Sequence, residues 1–206
     1  MLSETQNSPE MLVEMLLHLG RLAHGEGAAA IPTAALSTAQ WSALRYLGNA
    51  NRYSRTPSAF AKFHGTTRGT ASQTIRGLVK QGYLTQSRAA GDGRGRQLDL
   101  TEKATAMRLC DPFEAMVRAV GDLPTEVRRQ FGESLTRMLH HVARDKGARP
   151  FGTCTSCAHL ECSDNDPESH QTYACGVTQN WMDGENLEQL CVNFQQADAP
   201  ATGATR

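Results

Sequence analysis

The stretch TPSAFAKFHGTTRGTASQTIRGLVKQGYLTQSRAAGDGRGRQLDLT, residues 56–101, decides the fold. Two segments with helical patterning are separated by a short turn at residues 64–65, and a Gly-rich tip follows between residues typical of strands. This order predicts a helix-turn-helix followed by a β-hairpin with a basic tip. Such a unit favours duplex DNA as its partner.

Charge is distributed unevenly along the chain, although 21 basic and 21 acidic residues cancel overall. Residues 50–100 hold nine Arg or Lys against two Asp, a net charge of +7. Residues 151–206 hold one basic residue against eight acidic ones, a net charge of −7. A polyanion is therefore attracted to the middle of the chain and repelled by its end. A solvated basic face without a partner is the alternative that charge alone leaves open.

Length and composition bound the remaining possibilities. The 206 residues suffice for one domain of ordinary size with a small appendix. No apolar run approaches the roughly 20 residues that span a bilayer, and the N-terminus lacks the pattern of a secretory signal. We therefore expect a soluble, cytoplasmic protein without a membrane partner. In a reducing compartment, six cysteines favour metal binding or catalysis over a disulfide scaffold.

Amphipathic patterns predict helices on both sides of the helix-turn-helix. One begins at Ser8 and Pro9 and ends near residues 25–27, and another begins at Ser37, which resembles a capping box with Gln40.

Two long helices are expected at residues 101–120 and 124–144. Cys110 lies on the apolar pattern of the first of these and is expected to be a small core residue. These helices are richer in apolar residues than a small wing domain needs. They favour a homodimer, with a monomeric helical bundle as the alternative.

The helix order over residues 36–100 and two motifs carry a resemblance to a known family. The motifs are RGTASQTIRGLVKQGYL at residues 68–84 and Asp-Gly-Arg-Gly-Arg at residues 92–96. Over roughly residues 10–146 the chain resembles the MarR-type winged-helix transcriptional regulators. The resemblance implies a triangular homodimer, a recognition helix over about residues 67–81 in the major groove, and wing arginines that reach the minor groove or the phosphates.

The fold class expected from these observations is mainly α with a small β-wing, a winged helix-turn-helix with long dimerisation helices and a Cys-rich appendix. The expected parts are an N-terminal dimerisation helix (1–35), the winged helix-turn-helix (36–101), C-terminal dimerisation helices (102–147) and a cysteine-rich metal-binding tail (148–206).

Candidate DNA contacts lie on the recognition helix and on the wing. Arg prefers guanine and Gln prefers adenine, and an Arg at a Gly-flanked tip can enter a narrow minor groove. Asp92 is expected to orient the wing arginines rather than to touch DNA. The candidates are Thr67, Arg68, Thr70, Ser72, Gln73, Arg76, Arg88, Arg94 and Arg96.

The segment after residues 147–150, which read as a linker, differs in composition from the rest. Five of the six cysteines lie within 38 residues, at Cys154, Cys157, Cys162, Cys175 and Cys191. A segment this short and polar buries too little apolar surface to fold alone, so a metal centre would supply the missing stabilisation. A loose tail with incidental cysteines is the alternative.

Similar tails on some MarR-like proteins imply the ligand set. On that resemblance the ligands are Cys154, Cys157, Cys175 and Cys191, with Cys162 as an extra or alternative one. His159 and His170 are interpreted as neighbours of the centre or surface residues rather than ligands.

An iron-sulfur cluster is favoured over zinc as the occupant of this tail. Structural zinc sites commonly use two Cys-x-x-Cys pairs and only residues 154–157 form one, whereas iron-sulfur sites accept irregular spacing.

The leading hypothesis is a sequence-specific DNA-binding transcriptional regulator modulated by an iron-sulfur centre through redox, iron or gas sensing. If the tail packs beside the dimerisation helices, the centre could alter the separation of the two recognition helices. The alternative is a MarR-type regulator with structural zinc and a separate small-ligand pocket.

Two further function classes are disfavoured. An enzyme is not expected, because the Cys-x-x-Cys follows a linker and no catalytic constellation is present. A pure protein-interaction module is disfavoured by the positive central segment.

Overall fold

The computed structural model describes five parts of the chain, residues 8–24, 36–88, 96–148, 150–163 and 172–197. The described residues form eight α-helices, a two-stranded wing and a small three-stranded sheet. This agrees with the expected mainly α fold.

The first helix, α1 (Pro9–His24), begins where the sequence predicts. The Ser8 hydroxyl accepts a hydrogen bond from the Met11 amide at 3.3 Å, and Pro9 occupies the first helical turn. The expected end at residues 25–27 lies outside the described residues.

Local capping signals set the next two helices. Helix α2 (Thr38–Asn49) begins with the predicted capping box between Ser37 and Gln40. Helix α3 (Pro57–Phe63) begins at Thr56, whose side chain accepts from the Ala59 amide. The predicted turn after α3 contains Gly65 at a φ of 59°, a conformation that favours glycine.

Helix α4 (Arg68–Lys80) completes the helix-turn-helix. Its buried face consists of Ala71, Ile75 and Leu78, which recur at helical spacing. Gly82 ends the segment at a φ of 75°.

The wing is an antiparallel hairpin of β1 (Leu84–Arg88) and β2 (Arg96–Leu100). Leu84 pairs with Leu100, and the inner end of the hairpin contributes Leu84 and Leu98 to the core. The expected tip at residues 90–95 lies outside the described residues.

One hydrophobic core unites α2, α3, α4 and the base of the wing. Its fully buried side chains include Leu44, Leu47, Ile75, Leu78 and Tyr83. The core therefore fixes α4 against α2 and α3 while its opposite face remains in solvent.

The predicted helix at residues 101–120 is wrong as a single element. The chain forms α5 (Glu102–Arg108) and α6 (Glu114–Gly121), separated by a turn. Pro112 disfavours helical backbone at Asp111, whose carboxylate instead receives hydrogen bonds from Arg45 at 2.7 Å and the Phe113 amide at 2.9 Å.

This turn also corrects the expectation for Cys110. The residue lies outside both helices, and its thiol is free and exposed rather than part of the core.

Helix α7 (Thr125–Asp145) is the longest element and follows the predicted break at Pro124. It buries only Ala143, whereas Val127, Leu135, Met138 and Val142 on its apolar stripe are exposed. Helix α1 likewise exposes most of its apolar side chains. Within the described part of a single chain, most apolar side chains of these two helices therefore remain uncovered.

The cysteine-rich segment has secondary structure of its own, which we call the cysteine module (residues 150–163 and 172–197). It contains a 3₁₀ turn (Cys154–Ser156), strands β3 (Leu160–Ser163), β4 (Thr172–Cys175) and β5 (Asn180–Met182), and the short helix α8 (Gly184–Leu187). The strands form an antiparallel sheet in the order β3-β4-β5. Cys154, Met182 and Leu187 form its small core.

Across the described residues, no helix combines the length and apolar character needed to cross a membrane.

Candidate functional site

Helix α4 presents one polar face to solvent. Arg68, Thr70, Gln73 and Arg76 are exposed there, and Ser72 is half-buried. These are sequence-predicted positions. Gln73 and Arg76 lie away from the buried face of the helix, and Arg68 is exposed because it stands at the first turn.

Thr67 has a structural task at the start of this helix. Its hydroxyl accepts a hydrogen bond from the Thr70 amide at 3.1 Å and lies 2.9 Å from the Thr70 hydroxyl. The cap satisfies an N–H group that the helix would otherwise leave unpaired. Thr67 therefore positions its neighbours, and its hydroxyl is already occupied.

The far end of α4 is held by residues that follow the wing. The Lys103 ammonium donates to the Gln81 carbonyl at 2.7 Å, and the Thr101 hydroxyl donates to the Gly82 carbonyl at 2.8 Å. Carbonyls at a helix C-terminus lack partners within the helix, so these contacts secure the end of α4. The helix is thus anchored at both ends.

The wing concentrates positive charge at its outer end. Arg88 and Arg96 are exposed and directly opposite in the β1-β2 register, and Arg96 also donates to Gln86 at 3.2 Å. Like charges facing each other across a hairpin are unfavourable unless an anion lies between or near them. Arg94 lies outside the described residues.

Two arginines that contribute to the basic central segment are turned toward the protein. Arg55 donates to the Ala50 carbonyl at 2.9 Å, and Arg52 donates to the Tyr53 hydroxyl at 2.7 Å and to the Trp181 carbonyl of the cysteine module. Both guanidinium groups keep their charge but are held by the protein's own groups, and Arg52 remains exposed.

Residues 36–95 match the sequence model of the MarR family. The matched stretch includes helices α2, α3 and α4 and strand β1 of the winged helix-turn-helix.

Solved structures share the fold of this winged-helix domain and its flanking helices. A MarR transcriptional regulator from Methanosarcina mazei Go1 is 20% identical, with a TM-score of 0.50 over 66% of this chain and 99% of that one. Streptococcus pneumoniae FabT, solved in complex with DNA, is 24% identical, with a TM-score of 0.52 over 69% and 99%. A MarR protein from Peptoclostridium difficile is 17% identical, with a TM-score of 0.50 over 70% and 94%. The search of curated proteins returned no match.

A second candidate site lies in the cysteine module, beyond the residues that match the family. One small cavity is lined by the four thiols predicted as ligands, together with other side chains. Its lining consists of Cys154, Cys157, His159, Leu160, Cys175, Val177, Cys191 and Asn193. Cys162 is exposed on β3 and does not line this cavity, and His170 lies outside the described residues.

Short backbone contacts bring the four cysteines together from three separate segments. The Cys157 amide bonds to the Cys154 carbonyl at 3.0 Å in the 3₁₀ turn, and Cys175 pairs with Leu160 across β3 and β4. The Cys191 amide bonds to the Gly152 carbonyl at 2.8 Å. The sheet and turn therefore place cysteines that are distant in sequence around one point.

The thiols affect one another electrostatically. Burial, and after it the nearby Cys191, Cys157 and Cys175 in that order of influence, together raise the pKa of Cys154 to about 12. Such a group of thiols is costly to ionise without a cation and is well suited to one.

The side chains surround the cavity without converging as closely as bound metal requires. Within the described ranges, no group of three or more His, Cys, Asp or Glu side chains is close enough to hold a metal ion. The donor set fits a thiolate-bound centre by its chemistry, and all four thiols are free.

Sequence reasoning missed the polar residues of the α2-α3 loop (residues 50–56) that meet the cysteine module. Asn51 is 1% exposed and Ser54 is 0% exposed. The Ser54 carbonyl accepts from the Tyr46 hydroxyl at 2.8 Å, and burial, followed by the nearby Cys191, raises the pKa of Tyr46. Two polar residues in a loop carry no periodic signal, so nothing in the pattern distinguished them.

Aromatic contacts extend this junction. Phe151 packs on Phe63 of α3 with ring centroids 4.5 Å apart, and Phe194 packs near His140 of α7 at 5.7 Å. The cysteine module thus contacts the winged-helix domain as well as a flanking helix.

Proposed function

We propose that the protein is a dimeric, sequence-specific DNA-binding transcriptional regulator, and that an iron-sulfur centre in the cysteine module sets its DNA affinity. The observation that carries the DNA-binding part is the anchored helix α4, with Arg68, Gln73 and Arg76 on its exposed face. The family match is to transcription regulators and not to enzymes. FabT, which shares this fold, was solved with DNA.

Major-groove recognition follows from the chemistry of that face. Arg can donate two hydrogen bonds to guanine and Gln can pair with adenine, so these side chains suit base readout. Arg88 and Arg96 on the wing suit phosphates or the minor groove, where a negative potential relieves their mutual repulsion.

A second copy of this chain is the occupant proposed for the exposed apolar helix faces. Large apolar side chains in contiguous stripes are rare on the surface of monomers. Those exposed on α1, α6 and α7 are Met11, Leu12, Val13, Met15, Leu17, Leu19, Leu22, Val117, Val120, Val127, Leu135, Met138 and Val142. A twofold dimer built from these helices would also place two recognition helices on one duplex.

The DNA-binding proposal is tested with duplexes selected from a random-sequence library. Arg68→Ala and Arg76→Ala should each weaken binding by about 1–3 kcal/mol and relax base preference. Lys146→Ala, which removes one positive charge at the end of α7, is the matched control. Failure of the wild-type protein to enrich any sequence would refute sequence-specific recognition.

The iron-sulfur proposal is supported by the four thiols around one cavity and by the irregular spacing of their cysteines. A centre that can be gained or lost gives a regulator a signal, for which redox state, iron supply or a reactive gas are the candidate sources. Protein purified without oxygen should absorb visible light and contain iron and sulfide.

Cysteine variants distinguish ligands from bystanders. Cys154→Ser and Cys175→Ser should abolish the visible absorption, whereas Cys162→Ser and Cys110→Ser should preserve it, because both of those thiols are exposed. One zinc per chain without sulfide, insensitive to oxidants, would select the structural-zinc alternative with a separate small-ligand sensor. A colourless, metal-free protein with unchanged DNA affinity would eliminate both.

A further inference from the structure

The α2-α3 loop lies between the cysteine module and the wing and is bonded to both. On the side of the module, the Asn51 amide donates to the Leu190 carbonyl at 3.0 Å. On the side of the wing, the Leu98 amide of β2 donates to the Arg55 carbonyl at 2.8 Å. The loop therefore connects the two parts within one chain.

Arg52 carries contacts to both parts on a single residue. Its main-chain amide donates to the Asn186 side-chain oxygen of α8 at 3.2 Å, and its guanidinium donates to the Trp181 carbonyl of β5. Its main-chain carbonyl accepts from the Gln97 side chain of β2 at 2.9 Å. Arg52 thus holds the module with its donors and the wing with its acceptor.

The two side chains that meet Arg52 are themselves oriented. The Asn186 side-chain nitrogen donates to the Asp183 carboxylate, which also caps α8, so that its oxygen is directed to the Arg52 amide. Gln97 directly follows Arg96, a candidate DNA contact, in β2. A displacement of Gln97 therefore moves Arg96 with it.

Internal hydrogen bonds make the loop stiff. The Ser54 amide donates to both the main-chain and the side-chain oxygen of Asn51, and the Thr56 amide donates to the Ser54 carbonyl at 2.8 Å. The Arg55 side chain closes the loop on the Ala50 carbonyl at 2.9 Å. Networks of this kind rigidify the segment that they connect. A shift on the module side is therefore passed to the wing side.

The wing needs outside support because it has only two strands. A two-stranded hairpin is marginally stable by itself, so its position depends on the parts that it contacts. Leu98 is buried in the core and fixes the base, whereas Arg88 and Arg96 at the outer end are exposed. The contact between Gln97 and Arg52 lies where the buried base gives way to the exposed end.

We propose that Arg52 is a positioning residue of the DNA interface, which is held by the cysteine module and in turn holds the wing through Gln97. The cysteine module is thereby part of the DNA-reading unit of its own chain. This inference rests on the DNA-binding part of the proposed function and needs no occupant in the cysteine site. An event that shifts the module, loading of its thiols included, reaches the wing through this residue.

The test is a double-mutant cycle on the full-length protein, with a duplex selected by the wild type. Asn186→Ala removes the acceptor of the Arg52 amide, and Gln97→Ala removes the donor to the Arg52 carbonyl. Each should weaken DNA binding by about 2- to 10-fold, as expected for the loss of one hydrogen bond. The double variant should bind about as well as the weaker single variant, because both bonds act through Arg52.

Matched truncations with bonds only inside their own sheet or turn supply the controls. Asn180→Ala shortens an exposed side chain of β5, and Thr85→Ala shortens an exposed side chain of β1 on the wing itself. Both should leave the DNA affinity unchanged.

Arg52→Ala distinguishes positioning from direct contact with DNA. A positioning role predicts a loss of affinity in the wild-type background that largely disappears in the Gln97→Ala background. A guanidinium that met a phosphate would cost the same affinity in both backgrounds, and that result would overturn the inference.

Hydrogen exchange supplies a readout without DNA. Asn186→Ala should speed exchange in β2, whereas α4 should keep its protection. Independent, additive losses in the cycle, or unchanged exchange in β2, would overturn the inference while leaving the regulator intact. A wild-type protein that enriches no duplex would instead overturn the proposed function itself.

Discussion

Two kinds of structure lie outside the winged-helix domain, the long helices α1 and α7 and the cysteine module, and they differ in how they are packed. Helices α1 and α7 are long and regular, yet their apolar side chains remain exposed in a single chain. The cysteine module has short strands and few apolar residues, yet it contacts the domain through paired backbones and buried polar groups. Apolar residues at helical spacing therefore indicate which side chains need to be buried, but not whether the same chain buries them.

The largest expected effect comes from placing charge on the uncovered helices. Met138→Glu combined with Val142→Glu should convert the proposed dimer to monomers, because both side chains lie on the exposed stripe of α7. DNA affinity should fall by about 10²-fold or more as the two linked binding modules are separated. Light scattering after size-exclusion chromatography measures the first effect, and anisotropy titration measures the second.

Thr136→Glu adds a negative charge on the opposite side of α7 and is the control. A dimer that survives the double substitution would show that another surface holds the two chains together.

The next effect in size concerns the cysteine module. Phe194→Ala should destabilise the module by about 3–5 kcal/mol, because a 4% exposed ring packed against Gly152 and His140 is removed. Hydrogen exchange should show faster opening of β3, β4 and β5, while α4 keeps its protection. Val177→Ala at a 48% exposed position is the comparison variant, and an equal loss in both would contradict a packed junction.

A smaller effect is expected at Asp111, in the turn between α5 and α6. Asp111→Ala should cost about 1.5–3 kcal/mol, because the partly buried carboxylate bonds to Arg45 and to the Phe113 amide. Urea denaturation measures the change. Glu133→Ala removes an exposed carboxylate that pairs with Arg129, and should cost at most about 1 kcal/mol. Equal costs would mean that the Arg45 contact does not anchor the turn.

The smallest expected effect is a pH dependence near the junction with the module. Burial lowers the pKa of His64, with Arg45 contributing in the same direction and a backbone hydrogen bond at Ser42 opposing it. The neutral form is thus favoured on folding. The resulting stability is fully present above the ordinary histidine pKa of 6.5 and is lost as pH falls through the lower folded pKa.

His64→Asn should flatten the decline in the urea midpoint between about pH 7.5 and pH 5, across the ordinary histidine range. His141→Asn, at an exposed position of α7, should retain the wild-type slope. An unchanged slope in the His64 variant would assign the pH dependence to other groups.

Much of the winged helix could be predicted because its signals are local. Ser37 with Gln40, Thr56 with Pro57, and the glycine after α3 act within one turn, so neighbouring sequence is sufficient to locate the helix ends. The break between α5 and α6 was missed although Pro112 is a local signal for it, whereas the contact of Asp111 with Arg45, a residue 66 positions away, leaves no local signal. The predicted burial of Cys110 was wrong for the same reason, because it required an unbroken helix.

The four cysteines of the candidate site could be predicted from the sequence, but the residues around them could not. Spacing and the resemblance singled out the four thiols that line the cavity, and the exposed Cys162 stands apart from them. The role of the α2-α3 loop could not be predicted, because backbone pairing with Leu190 and a buried Asn51 leave no periodic trace.

The pairing of Leu190 with residues 49 and 51 also bears on how such a regulator could arise. Main-chain donors and acceptors are alike for nearly every amino acid, so this joint demands little of the side chains on either strand. A module of this shape could therefore be joined to another winged-helix protein after its last helix. That protein would need a similar α2-α3 loop with one Asn and one Ser. The winged helix and the cysteine module can then change more independently during evolution, because main-chain atoms make part of the contact between them.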